Sequence, residues 1–566
     1  MSVLKKRIIT FVSIIIVLAV IIGLTLNIIL SSIISTQVNN QLTKLNDKSN
    51  TNLSLDKIKI NVFSSTLIIK GINLEPDSIS KRQFANGEFA KGSQLNLYVS
   101  DVRVRGYNIF KLLMKQEVDI SKIVVKKLSL NISKTKHFIK PKEKVQKSFS
   151  LSDSLKFKII RNLKLGNIEV DNFNVSVFDV DAMDTIFHYG GKEVDIDGIY
   201  VEKIPNTDNY FELNAEKISV SMKEQKAIFD DKKYSLSFKE FKYSRSEKSI
   251  LITEFSYEPT IQKEKLAASY KYDKEVYLID ADSILVNGIK IRKIIKDNYI
   301  DIDDITLNKL SVVIYKDKNN PPDYNRYPLF PQQALKRLKQ DINIENIYLK
   351  NSYLSYSEIS PRSDQPVFVD LTNMYANING VCSVEDSIKN GKKLRIDLSA
   401  NLMELAPLNL QLIMPYNSPV DTFYYSGNLG RSDLVPFNKA LYPATGIKFK
   451  TGILNELQFS VKASPRRSEG EMLMLYEQLE AEVTKSKVEE TDKTLSWLAN
   501  LVLPSSNPSK RGKVKTAKIE FERVSYKGIG NLFWKSLQSG LVNTISPIGK
   551  TMEKRKNKRR DIKRKK

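Results

Sequence analysis

The sequence predicts a mainly β protein held by one N-terminal transmembrane helix, and three observations predict it. An uncharged apolar run occupies residues 8–34. Apolar and polar residues alternate through most of the remaining chain, which is the strand signal. The composition leans to Ile, Val, Leu, Tyr, Phe and Ser, with only 22 Gly and 19 Pro in 566 residues, the balance that pleated, half-buried backbone favours.

The apolar run, with the core FVSIIIVLAVIIGLTLNIIL, extends from Ile8 to Ile34. As a helix it spans roughly 40 Å, enough to cross a hydrocarbon layer of about 30 Å with tilt. Lys5, Lys6 and Arg7 precede it, and no basic residue occurs after it until Lys44. That asymmetry places residues 1–7 in the cytoplasm and the body across the membrane. A cleaved leader is disfavoured, because the run is too long and carries no Ala-x-Ala site. A single-pass inner-membrane protein with a periplasmic body is the expectation.

Beyond a polar connector over residues 35–50, one pattern recurs: apolar-x-apolar, two residues, apolar-x-apolar. It occurs at Ile123, Val125, Leu128 and Leu130; at Ile168, Val170, Phe173 and Val175; at Val194, Ile196, Ile199 and Val201; and at Ile305, Leu307, Leu310 and Val312. The central pair is polar or glycine: Lys126-Lys127, Asp171-Asn172, Asp197-Gly198, Asn308-Lys309. A strict period of two would throw the second half of each repeat onto the opposite face. A two-residue hairpin restores the face, and so does a bulge. Asp197-Gly198 suits a tight turn; Lys126-Lys127 and Thr253-Glu254 suit a bulge. Either device gives a sheet with one continuous apolar face, covered by a second layer in a sandwich or left to receive an apolar ligand in a long curved sheet.

Residues 51–318 form the first β-repeat region. Lys134 to Ser150 reads as a basic loop. Asn319 to Pro331 contains Pro321, Pro322, Pro328 and Pro331, which forbid regular structure there. A short helix over Gln332 to Gln340 leads into the second β-repeat region, 332–530, which holds a helical insertion near 484–503. Residues 531–549 read as an amphipathic helix, with Leu532, Phe533, Leu537, Leu541 and Ile545 sharing a broad face. The tail over 550–566 has eleven Lys or Arg against Glu553 and Asp561 and supplies +9 of the net +25. An apolar helix beside a cationic run suits either a membrane surface or a cap on a sheet. The membrane-surface candidates are Phe533, Trp534, Lys554, Arg555, Arg559 and Arg560.

The chain has one cysteine, Cys382, and two histidines, His137 and His188. A disulfide framework within the chain is excluded, and zinc centres, Ser-His-Asp triads and Cys-His dyads are starved of residues. No catalytic residue, metal ligand or cofactor is assigned. Asp and Glu are plentiful, but no pair stands out as a glycosidase would need. Nucleic-acid binding through the tail would require cytoplasmic exposure, so no nucleic-acid partner is expected.

The anchor followed by DKIKINVFSSTLIIKGINLEPDS resembles the start of AsmA-like proteins. The segments NIEVDNFNVSVFD, DITLNKLSVVIYK and NIENIYLKNSYLSYSE are similar to that family's strand–polar pair–strand repeats. GEMLMLYEQLEAEV and NPSKRGKVKTAKIEF, with the later WKSL, look like the ending of Bacteroidetes-type members. The resemblance runs from Val3 to about Gly549, and the order of the segments carries it.

It implies a long, curved, repetitive antiparallel sheet, a β-groove related to TamB and the bridge-like lipid transfer proteins, closed by short C-terminal helices. It also implies a non-enzymatic envelope protein associated with phospholipid movement between inner and outer membranes. Acyl chains would then lie on the alternating apolar positions, represented by Ile168, Val170, Phe173, Val175, Val177, Ile305, Leu307, Leu310, Val312 and Ile314. The basic C-terminus would contact anionic outer-membrane lipid. The competing expectation is an anchored structural or assembly factor with a closed core and no lipid path.

Overall fold

The computed structural model describes residues 51–61, 64–88, 93–107, 117–135, 162–203, 211–214, 218–229, 232–361, 363–483 and 503–545, with scattered residues between 31 and 46. The anchor expected over 8–34 lies outside these but for Ser31 and Ser32, which are helical. The helical insertion near 484–503 (except Leu503) and the basic tail lie outside them too. No helix among the described residues is long and apolar enough to cross a membrane. The chain forms two compact units, Met1–Ile252 and Thr253–Lys566, and is mainly β in both.

In the first unit the strands are β1 (Thr51–Ser54), β2 (Lys57–Asn61), β3 (Thr66–Pro76), β4 (Ser93–Arg105), β5 (Glu117–Lys134), β6 (Asn162–Asp179), β7 (Asp184–Lys203), β8 (Phe211–Asn214), β9 (Ser219–Phe229) and β10 (Tyr234–Ser244). Helix α1 (Ser78–Ala85) links β3 to β4 and is capped by Asp77, which accepts the Ser80 N–H at 2.6 Å. Neighbours pair antiparallel, β3 with β1, β2 and β4, and so on to β9 with β10. The exception is β5 with β6, which is parallel. Strand β11 (Ser249–Pro259) contains the division between the units.

The second unit has β12 (Glu275–Asn287), β13 (Tyr299–Asn308), β14 (Ser311–Asp317), β15 (Asp341–Ser360), β16 (Ser363–Cys382), β17 (Lys393–Leu402), β18 (Ala406–Pro415), β19 (Phe423–Leu429), β20 (Ser432–Asp433), β21 (Ile447–Ala463), β22 (Arg467–Val483) and β23 (Thr516–Glu522). Its helices are α2 (Lys263–Ser269), α3 (Ile291–Asp297), α4 (Pro331–Lys336), α5 (Glu385–Lys389), α6 (Asn438–Thr445) and α7 (Ile529–Ile545). Both β13 and β14 pair parallel with the single long strand β15.

The sheets are therefore mixed, which corrects the expectation of a purely antiparallel one. The cause is in the connections. Parallel neighbours need a long crossover, and the chain between Lys134 and Asn162 and the proline-rich stretch before α4 supply one each. They connect β5 to β6 and β14 to β15.

The polar pairs turn out to be steps inside strands. At Lys127 (φ 48°), Asn172 (φ 55°), Glu224 (φ 49°) and Gly71 (φ 62°) the backbone turns left-handed for one residue, and pairing resumes on both sides. These residues lie on β3, β5, β6 and β9, the strands that share one direction. The oppositely directed strands β4, β7 and β10 pass the same line at Ser100, Lys192 and Lys239 without a left-handed residue. A second line runs through Gly106, Ser121, Gly166 and Gly198, and here the left-handed residues are Gly106 and Gly198. Asp197-Gly198, expected in a tight turn, is thus interior to β7. A tight turn and this step make the same demand for positive φ, which glycine meets without strain.

The packed core belongs to the second unit. There Phe330, Met414, Tyr416, Phe423, Leu454, Met472, Tyr476, Ile519 and Leu532 are fully enclosed. Helix α7 lies on β22 and β23 through a small-residue face. A Cβ on Gly540 would sit 2.9 Å from Ile519 Cγ1 and 3.0 Å from Met472 Cε.

Candidate functional site: a register-matched apolar face

On β3, β5, β6 and β9 left-handed steps keep the apolar residues on one side, and the strand register aligns them with those of β4, β7 and β10 across the sheet. One row runs Ile69, Val102, Val125, Val170, Val194, Met222, Phe241 from β3 to β10. The next runs Leu67, Val104, Ile123, Ile168, Ile196, Val220, Tyr243. Across the step line lies Leu74, Leu97, Leu130, Val175, Tyr189, Ala227, Leu236. Each row crosses seven strands, roughly 29 Å at about 4.8 Å per strand.

This face is not sealed. Ile168, Val170, Phe173 and Val175 are half-buried, and of the five candidates on β6 only Val177 is buried. The first unit contributes few buried hydrophobic side chains, Ile58, Val99, Val124, Val177 and Tyr234 among the described residues, while the second contributes most of them. Transfer of apolar surface from water is worth about 25 cal/mol per Å², so an aligned, half-open face retains unused capacity to take up an apolar ligand.

A polar side chain interrupts the face. Gln225 occupies an apolar slot in the row Val99, Leu128, Phe173, Gly191, Gln225, Phe238, yet it is only 1% exposed. Its Oε1 accepts the Tyr189 hydroxyl at 2.7 Å, and its Nε2 donates to the Lys223 carbonyl at 2.8 Å. It fills the space over Gly191, where a Cβ would come within 2.1 Å of Nε2. Tyr189 also meets Phe173 edge-on at 5.1 Å, and burial pushes its phenol pKa up. Gln225 escaped the sequence reading because the template Val220, Met222, polar pair, third slot, Ala227 expects an apolar residue there; a template with one polar slot was the available signal.

In the second unit the candidates Ile305, Leu307, Leu310, Val312 and Ile314 lie along β13 and β14, on either side of Lys309 (φ 48°), and all are half-buried. Their strip continues in register to Lys316, which pairs with Glu275 on β12 and Glu358 on β15. Lys316 is 5% exposed; its Nζ lies 2.8 Å from Glu275 and 3.5 Å from Asp273. Lys527 reaches Asp273 at 3.1 Å, Arg326 reaches Glu275 at 3.3 Å, and Lys318 reaches Glu358 at 2.5 Å. The Tyr356 hydroxyl donates to Glu358 at 2.5 Å, and its pKa is driven up, first by burial and then by the Glu358 charge. An apolar strip thus ends in a charge network centred on buried Lys316, with Arg326 and Lys318 at its exposed margin. Sequence reading missed it because Lys316 follows Val312 and Ile314 in parity and looks like a strand end.

Of the membrane-surface candidates, Phe533 lies 4.5 Å from the Tyr425 ring and 6.2 Å from that of Phe423, and Trp534 is half-buried on α7. Lys554, Arg555, Arg559 and Arg560 lie outside the described residues. No group of His, Cys, Asp and Glu suited to a metal occurs among the described residues.

No family model and no curated protein sequence matches the chain.

Proposed function

We propose that this chain is an AsmA-like, inner-membrane-anchored periplasmic protein whose apolar sheet face carries phospholipid or another acyl lipid, serving lipid transport between inner and outer membranes or envelope integrity. The carrying observation is the alignment of apolar rows across seven strands with their side chains half-open rather than enclosed. Hydrocarbon on such rows gains about 0.8 kcal/mol per buried CH₂ and needs no covalent chemistry from the protein. The uncharged run over 8–34 supports the anchor, and the resemblance described from the sequence supports the curved groove.

A photo-crosslinking residue at Val175 tests the reading in cells. A lipid adduct is expected from Val175, on the apolar face, and none from its neighbour Ser176, on the other face. No adduct from Val175 would favour the second reading, a structural or assembly factor without a lipid path. The closed core beneath α7 is the observation that speaks for that alternative.

A further inference from the structure

The outward face of β16–β19 differs in chemistry from the polar faces of the other strands. Elsewhere that face is laced with ion pairs: Lys122 with Glu169, Lys192 with Glu224, Lys223 with Glu193, Lys450 with Glu482. On β16–β19 it is built from neutral amides and hydroxyls. One row is Asn377, Asp397, Gln411, Ser426, and the next is Tyr375, Ser399, Asn409, Asn428. They line a depression of about 400 Å³. The single charged pair is self-cancelling, since Arg395 grips Asp397 through Nε at 2.6 Å and Nη2 at 3.0 Å. Gln411 Nε2 donates to the same carboxylate at 2.8 Å.

Asn377, Asn409 and Asn428 have no side-chain hydrogen bond to another described residue, so each offers two donors and an acceptor to whatever lies above it. Tyr375 is 50% exposed within this array, and Tyr424, one row away, is 47% exposed. Exposed tyrosine presents an apolar ring with a polar tip. Flat rings beside free amides, without net charge, match the C–H faces and hydroxyl edges of a neutral sugar chain. At the two rows that line the depression the one cation, Arg395, is engaged; the exposed Lys462 stands beside Tyr424 at the margin. The strand spacing of about 4.8 Å is close to the length of one pyranose ring, so an extended chain crossing the strands along a row would meet one strand, and one side chain of that row, per sugar.

We infer that the outward face of β16–β19 is a binding surface for an extended, neutral β-linked glycan, with Tyr375 and Tyr424 as stacking platforms and Asn377, Asn409, Asn428 and Gln411 as hydroxyl partners. The site lies on the face opposite the core and is independent of lipid on the apolar rows.

Affinity electrophoresis of the full chain in detergent, through gels containing hydroxyethylcellulose or xylan, tests it. Retardation is expected, with at least a tenfold loss of affinity in Tyr375→Ala and in Asn409→Ala and near-retention in Tyr375→Phe. These side chains are exposed, so the variants fold, and an unchanged urea midpoint verifies it. Unretarded migration in both gels would overturn the inference, and so would retardation that survives both alanine substitutions.

Discussion

Asn172 on β6 stands beside Lys127 on β5, both left-handed, between the flanking parallel pairs Lys126–Asp171 and Leu128–Phe173. Neither strand carries an extra residue relative to the other. The apolar residues before and after the step consequently stay on one side, and the step on one strand matches that on the next.

A β-branched residue at this position should be costly. Left-handed backbone costs an L-residue roughly 1–2 kcal/mol, and Asn tolerates it better than most. Asn172→Val is expected to lower the unfolding free energy by about that amount and the urea midpoint with it, whereas Asn172→Gly holds or raises the midpoint. Equal midpoints for the two variants would show that the step carries no strain.

Gly191 and Gln225 should be energetically coupled. Gly191→Ala places a methyl group where the Gln225 amide lies, and overpacking of this kind costs roughly 1–3 kcal/mol. In the double variant with Gln225→Ala the methyl group has room. A double-mutant cycle by urea unfolding should return a coupling of about 0.5–3 kcal/mol; additivity would mean that Gln225 is not the residue filling the gap.

The Lys316 network sets a pH dependence. Burial opposes ionisation of Glu275, but the Lys316 charge and hydrogen bond outweigh it, so the folded pKa lies below the ordinary 4.5. A depressed carboxylate pKa adds stability above the unfolded value, and that stability is lost as pH falls from about 4.5 through the folded pKa. Lys316→Met should cost about 3–5 kcal/mol at neutral pH, because buried carboxylates lose their partner. It should also flatten the acid side of the stability profile; a profile parallel to that of the unaltered protein would refute the assignment.

Much of the fold was legible in the sequence because period-two alternation reports directly on which side a side chain faces. Ile168, Val170, Phe173 and Val175 lie on the expected face, and a helix at Pro331–Lys336 begins where the prolines end. Strand direction was not legible. Nothing local to Ile123 or Ile168 distinguishes a parallel neighbour from an antiparallel one; the crossover length does, and only once the pairing is known. The Asp197-Gly198 step was read as a turn because both structures recruit the same residue types. Gln225 and Lys316 are polar residues in apolar slots, and alternation treats such residues as exceptions rather than as features. The neutral face of β16–β19 is invisible until Asn377, Asp397, Gln411 and Ser426, which are spread over four strands, are brought into one row.

The step lines also bear on how the chain reaches its native state. Most described strands pair with the strand next in sequence, so ordered structure can grow from one end, each hairpin templating the next, as in repeat proteins. The two parallel junctions are not hairpins: β6 must wait for a long crossover to close before it can dock on β5, and β15 likewise on β13 and β14. Loop closure makes non-local pairing slow. Folding of such a chain would therefore pause at two places, after β5 and after β14, with an unsatisfied strand edge exposed at each until the crossover is complete.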